Sequence, residues 1–240
     1  MATLLFAPKA DESDPRAYKN FKAENMIYRP PKRNNNGGCS VAFGYSKDGN
    51  LKKLYVQTPK CRAPFGINTH QSDDGRNKYS LPLAFSDLEN DPMMRAFYTF
   101  MESFDSCNIA TAQERSVAWF GKEFPLSVLK ELYRNSAKEP KDAKYDPTFS
   151  VKIPQQNDRI TTTFYDENKD VIDSDHVTPG CEIVALLECS QIWFMNKQFG
   201  ATFNLVQARV YNTRQEFSSY AIEDEDAPPV DADAPPAMLD

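Results

Sequence analysis

Apolar positions along this chain follow two rhythms, one in its first and last thirds and another between them. From Ser40 to Tyr45 alternate residues Val41, Phe43 and Tyr45 share one face, and Leu51 to Gln57 is expected to return as the second strand. Such alternation marks half-buried strands, and Ser46-Lys-Asp-Gly-Asn50 between them holds the Asp-Gly pair of a hairpin reversal. Two prolines and a glycine break regularity over 58–66, and a third strand is expected from Tyr79 to Phe85. From Asp91 the period changes. Met94, Phe97, Phe100, Met101 and Phe104 recur at helical spacing, with Asp91-Pro92 as cap and first-turn proline. A second helix is predicted from Pro125 to about Ser136, ended by the polar run Lys138–Lys144. Strands return at Phe149–Ile153, at Thr161–Tyr165 with Val171-Ile172, and over Glu182–Tyr211, where Asn196–Gly200 is expected to form the turn.

Strands, then helices, then strands predict an α+β fold: an antiparallel β-barrel with a helical insertion at about 88–140. The expected organisation is an extended N-terminal arm over 1–37, a folded domain over 38–220, and an acidic disordered tail over 221–240. Of the 240 residues, 40% are hydrophobic and 12% aromatic, enough for a sizeable core. No run approaches the roughly 18 to 20 apolar residues that span a bilayer, and MATLLFAPKADESDPR lacks a basic leader. A soluble, intracellular protein without a membrane partner is therefore expected. Five cysteines without a C-x-x-C pair fit reduced thiols, and two distant histidines offer little for a metal site or a Cys–His pair.

The net charge of −6 is unevenly placed. Residues 221–240 hold seven acids and no Lys or Arg, which leaves 28 basic against 27 acidic residues over 1–220. No phosphate loop, dinucleotide fingerprint, nucleophile elbow or H-E-x-x-H motif occurs, so no catalytic residue, metal or cofactor is assigned and the chain reads as a non-enzyme.

Two surfaces combine cations with aromatic rings. The first, between Lys47 and Lys78, offers Lys52, Lys53, Tyr55, Lys60, Arg62 and Phe65. The second is the hairpin carrying Trp193, Lys197, Phe199, Phe203, Arg209 and Tyr211. Cations neutralise phosphates and rings stack on bases of any identity. An ordinary solvated hairpin with inward rings would carry the same composition. In the return strand, Phe203, Leu205, Gln207, Arg209 and Tyr211 are expected to share one face, and periodicity does not decide which face is wet. The tail, with Glu223, Asp224, Glu225 and Asp226 and the apolar tip Met238-Leu239, fits partner binding or simple solubilisation.

Leu54-Tyr-Val-Gln-Thr-Pro-Lys60, Pro64-Phe-Gly66, Ile192-Trp-Phe-Met-Asn-Lys-Gln-Phe-Gly200, Asn204-Leu-Val-Gln207, Gly180 and Lys152-Ile-Pro154 together resemble the single-stranded-DNA-binding proteins of nucleocytoplasmic large DNA viruses. The resemblance covers roughly 38–212. It implies an oligonucleotide-binding (OB) fold and sequence-independent binding of single strands during viral replication, recombination or repair, in the host cytoplasm or nucleus or packaged in the virion. It carries Lys60, Phe65, Trp193, Lys197 and Phe199 as site candidates. The tail looks like those of bacterial and phage single-strand-binding proteins, which recruit replication partners and compete with nucleic acid. A homo-oligomer is compatible with the sequence. The rival reading is a virion structural or assembly protein using the same fold for packing, favoured by the near-neutral charge of 1–220.

Overall fold

The structure, a computed structural model, describes residues 4–33, 38–46, 49–72, 75–157 and 159–211. Its long helix α1 (Pro92–Glu114) begins where the sequence predicts. The Asp91 carboxylate accepts from the backbone N–H groups of Met93 and Met94 at 2.8 and 3.1 Å. Pro92 takes a first-turn position that needs no donor. Ahead of α1 lie β1 (Leu4–Phe6), β2 (Met26–Tyr28), β3 (Lys32–Arg33), β4 (Cys39–Tyr45), β5 (Leu54–Gln57), β6 (Cys61–Arg62), β7 (Asn68–Gln71) and β8 (Asn77–Ala84). After it come α2 (Ser116–Phe120), α3 (Leu126–Leu132) and β9 (Tyr133–Arg134). The chain continues with β10 (Thr148–Ile153), β11 (Gln155–Gln156), β12 (Arg159–Ile160), β13 (Thr163–Tyr165), β14 (Val171–Ile172), β15 (Glu182–Met195) and β16 (Gln198–Tyr211). The fold is mostly β-sheet with a few helices.

Among the described residues, every strand except the β11–β12 pair belongs to one sheet. Its hydrogen-bonded path runs from β15 through β6, β8, β10 and β16 and returns to β15. The β10–β16 contact is a single parallel pair, Lys152 with Asn204. Where these two strands diverge, the chain after α3 fills the gap. β9 pairs with β16 at Phe199 and Gly200, and Lys138 bridges to Thr148 of β10.

The inner face is aromatic. Phe97 packs on Phe85 and Phe149 at 5.6 and 5.5 Å between ring centroids, and Phe100 on Phe6 and Phe21 at 5.9 and 5.1 Å. Phe104 meets Phe43 at 5.7 Å and Phe203 at 5.8 Å. One helix stripe thus touches rings from both ends of the sequence.

Several expectations change. Where an extended arm is predicted, residues 4–33 are packed: β1 pairs with β5, and Phe6, Tyr18 and Tyr28 are buried. The aromatic area of this segment outweighs its turn-forming residues. The predicted β4–β5 hairpin opens beyond one bridge, Tyr45 with Lys52, because β4 pairs with β2, β3 and β15 while β5 pairs with β1 and β15. The second predicted helix stops at Leu132, and Tyr133 joins the sheet. The final hairpin turns on two residues, Asn196 and Lys197, both with positive φ, so Gln198 to Gly200 are already strand. Register shifts at Ser190 and Val206 reverse the alternation: Phe203 and Leu205 face inward, and after the second shift Ala208 and Val210 do. The predicted acidic tail, 221–240, lies outside the described residues.

If the N-terminal segment is core, Phe6→Ala should lower unfolding free energy by about 3–5 kcal/mol. Urea denaturation reads this directly, and an unchanged midpoint would return residues 4–33 to the status of an arm.

Candidate nucleic-acid interface

Because α1 occupies the inner face, alternate residues of β8 and β10 are turned outward. Leu81, Leu83, Phe149, Val151 and Ile153 are buried, while Ser80 and Pro82 lie opposite Lys152 and Ser150 on the accessible side. Trp193 and Arg134 reach the same side. Together with Ser80, Ser150, Lys152 and Thr202 they line a cavity of about 340 Å³.

Each of the three principal side chains is held by a different device. Trp193 stands opposite Gly200 in the β15–β16 ladder. A Cβ on Gly200 would come within 2.9 Å of the indole Cζ2, so the ring lies across bare backbone. The indole Nε1 donates to the Ala201 carbonyl at 3.2 Å, which leaves the ring half-buried and oriented. Arg134 is exposed on β9, and its Nε donates to Gln198 Oε1 at 2.9 Å. Lys152 is exposed on β10 and also borders a second cavity of about 280 Å³ with Arg76, Lys78, Tyr79 and Gln155.

The β9 segment hangs from α1 through a buried carboxylate. Asp105 accepts from Tyr133 Oη at 2.7 Å, from the Ser136 amide at 2.7 Å and from Ser136 Oγ at 2.6 Å. Asn108 donates to the same Tyr133 hydroxyl at 3.0 Å. Burial pushes the Asp105 carboxyl up to about 6, even though the hydrogen bonds from Ser136 and Tyr133 pull it down.

Among the described residues, no carboxylate lines either of these two cavities. Among the described residues, neither Lys152 nor Arg134 has an ion-pair partner. An anion meeting these groups displaces only water and small ions.

The site residues expected from sequence are dispersed over six places. Of these residues, Trp193 and Phe203 border the cavity just described. Phe199 is fully buried, stacked on Phe194 at 5.8 Å, and Phe203 is 5% exposed against Phe104, so both rings pack in the core where exposed stacking faces are expected. The two-residue turn explains Phe199, since it pairs with Phe194 on the face that α2 covers. Lys197 is exposed at the hairpin tip. Lys53 and Tyr55 both engage Glu188, each at 3.0 Å, and Lys52 lies half-buried beside them. Lys60 is bound to Glu182 at 3.3 Å and sits over the Tyr211 ring, which Arg209 approaches from 5.2 Å; this cluster is at the opposite end of the hairpin from Trp193. Arg62 and Phe65 border a separate cleft. The partner-binding residues Glu223, Asp224, Glu225, Asp226, Met238 and Leu239 lie outside the described residues. Arg134 and Lys152 escaped the sequence reading. For Lys152, the alternation of Phe149, Val151 and Ile153 held the signal, because it turns the lysine outward. Arg134 carried none, lying in a predicted helix.

Residues 89–224, more than half of the chain, match the family described as "Family of unknown function (DUF5871)". The chain belongs to that family. The DUF5871 segment starts just before α1 and runs past β16, so Arg134, Lys152 and Trp193 fall inside it, and Lys53, Lys60 and Phe65 outside. "Uncharacterized protein L291" of Acanthamoeba polyphaga mimivirus is 26% identical over 196 residues, covering 78% of this chain and 31% of its own length. The chain thus spans about a third of that curated relative. Among solved structures, gp2.5, a single-stranded DNA binding protein encoded by bacteriophage T7, superposes with a TM-score of 0.47 and 9% identity over 71% of this chain and 98% of its own. The single-stranded DNA-binding protein from bacteriophage Enc34, truncated at its C-terminus, gives 0.41 and 12% over 82% and 100%.

Asp105 holds its proton more tightly folded (about 6) than the ordinary carboxyl value of 3.8. Its contribution to stability is therefore complete below about pH 4 and is lost as pH rises through about 6, by up to about 3 kcal/mol. The unfolding free energy of wild type minus that of Asp105→Asn should fall by this order between about pH 4 and about pH 7. A constant difference would mean that Asp105 titrates normally.

Proposed function

We propose that the outer face of β8, β10 and β16 binds single-stranded DNA without sequence preference. The observation that carries this is the Trp193 cavity: an oriented, half-exposed indole beside two cations that have no ion-pair partner among the described residues. An indole offers a stacking surface indifferent to base identity, worth about 1–3 kcal/mol per base. Arg134 and Lys152 flank it at positions suited to phosphate, and the serines and threonine between them supply uncharged donors. With residues 1–220 close to neutral overall, attraction comes from this local cluster and not from a general field.

The closed strand path, β15–β6–β8–β10–β16–β15, supports reading the sheet as an OB-type barrel with α1 covering its inner side. On this view the protein is a non-enzymatic member of the viral single-strand-binding group that the sequence resembles. It acts inside the infected cell during DNA replication, recombination or repair. The acidic residues 221–240 then recruit partners or compete with DNA for the cationic face.

Titration of a fluorescent oligo-dT at several salt concentrations tests this. Trp193→Ala should weaken binding by about 1–3 kcal/mol. Arg134→Ala and Lys152→Ala should each lower the salt slope by about 0.7. Equal affinity for duplex, or binding indifferent to salt, would count against the proposal. Deleting 221–240 should tighten binding; unchanged affinity would discard competition by the tail.

A further inference from the structure

A second aromatic and cationic cluster lies further along the same outer face. Phe65 and Tyr145 are 63% and 62% exposed, and both border a cleft of about 410 Å³. Arg62, Lys138, Lys141 and Lys144 line it, against Glu139 and Asp146. The Glu139 carboxylate already accepts from Tyr98 Oη at 3.0 Å, and Lys144 lies 4.8 Å over the Tyr145 ring.

Neither exposed ring sits on loose chain. Ahead of Phe65, the Ala63 amide donates to the Cys181 carbonyl at 2.8 Å and the Ala63 carbonyl accepts from Gly180 at 2.7 Å. Behind it, Gly66 has φ of +63°, and a Cβ there would meet the Val177 carbonyl at 2.9 Å. The Phe65 ring is thus held out in water by a clamped turn. Tyr145 follows a turn in which Asp142 accepts from the amides of Lys144 and Tyr145, each at 3.1 Å. Exposing two large rings carries a hydrophobic penalty that a ligand would relieve.

The strands connect this cleft with the Trp193 cavity. Thr148 and Ala84 border the first, and Lys152 and Ser80 the second. These residues pair across β8 and β10 on the same outward side, four positions apart. At about 3.3 Å per residue the two places are separated by about 13 Å along the strands, with only Ser150 and Pro82 between.

We propose that the Phe65–Tyr145 cleft is a second base-stacking subsite for one unpaired strand that runs along β8 and β10 from Trp193. This rests on the single-strand reading above. It adds a path: bases stack at both ends, and the phosphates between them follow Lys152 at one end and Arg62 and Lys138 at the other. The exposed rings favour nucleic acid over an acidic peptide, which would use the cations alone.

Full-length wild type, Trp193→Ala and the double variant Phe65→Ala/Tyr145→Ala are titrated with oligo-dT from about 4 to about 16 nucleotides. Wild type should gain affinity once the oligomer is long enough to reach both places. The double variant should keep its affinity for the shortest oligomers and bind the longest roughly tenfold more weakly, with its urea midpoint unmoved because neither ring is in the core. Trp193→Ala should weaken binding at every length. Unchanged binding of long oligomers by the double variant, with Trp193→Ala impaired, would overturn the second subsite and leave the first. Absence of single-strand binding by wild type would overturn both. Capture of a poly-glutamate peptide by wild type but not by the double variant, with DNA binding equal, would assign the cleft to an acidic peptide instead.

Discussion

Everything in this fold depends on three phenylalanines about one helical turn apart. Phe97, Phe100 and Phe104 of α1 touch rings from β1, β4, β10 and β16 and from the residue just after β8, so a single apolar stripe gathers strands distant in sequence. Burying aromatic area is the dominant favourable term here, and edge and tilted contacts add to it. Because the helix claims the inner side of the strands, the alternate residues have only water to face. The cationic surface is in that sense a by-product of how the interior is filled.

Paired and unpaired charges separate the surfaces that composition alone treats as equal. Lys53 and Lys60 belong to short local arrangements with Glu188 and Glu182, where their charge is already answered. Among the described residues, no acid lines the cavity around Trp193. Counting lysines along the chain favours the first hairpin, whereas Arg134 and Lys152, which border the Trp193 cavity, have no ion-pair partner among the described residues.

Much of the helical part was legible. Asp91-Pro92 and the spaced phenylalanines specify the start and buried stripe of α1, because capping and amphipathicity are local properties. The strands themselves were also visible, but their partners were not. Val41, Phe43 and Tyr45 signal a half-buried strand without saying that it pairs with β15 and not β5. Residues 4–33 differ for a related reason: prolines and polar residues are frequent in them, yet Phe6, Tyr18 and Tyr28 are enough to anchor them. In the last hairpin the error was one of phase. Placing the turn at Asn196-Lys197 alone sends Phe199 inward, and one extra residue at Val206 undoes the face that strict alternation assigns to Phe203 through Tyr211. Tyr133-Arg134 falls within the helix that the sequence predicts, since nothing local announces a strand that pairs with Phe199 and Gly200. The aromatic–cationic composition around Trp193 is visible in the sequence, but its half-exposure follows from the missing side chain opposite it.

That missing side chain has a thermodynamic consequence. With Gly200 beneath it and the Ala201 carbonyl accepting from its nitrogen, the indole is seated in one orientation before any guest arrives. Little rotational freedom is left to surrender on contact, so the entropy of association at this spot would be dominated by released solvent and counterions.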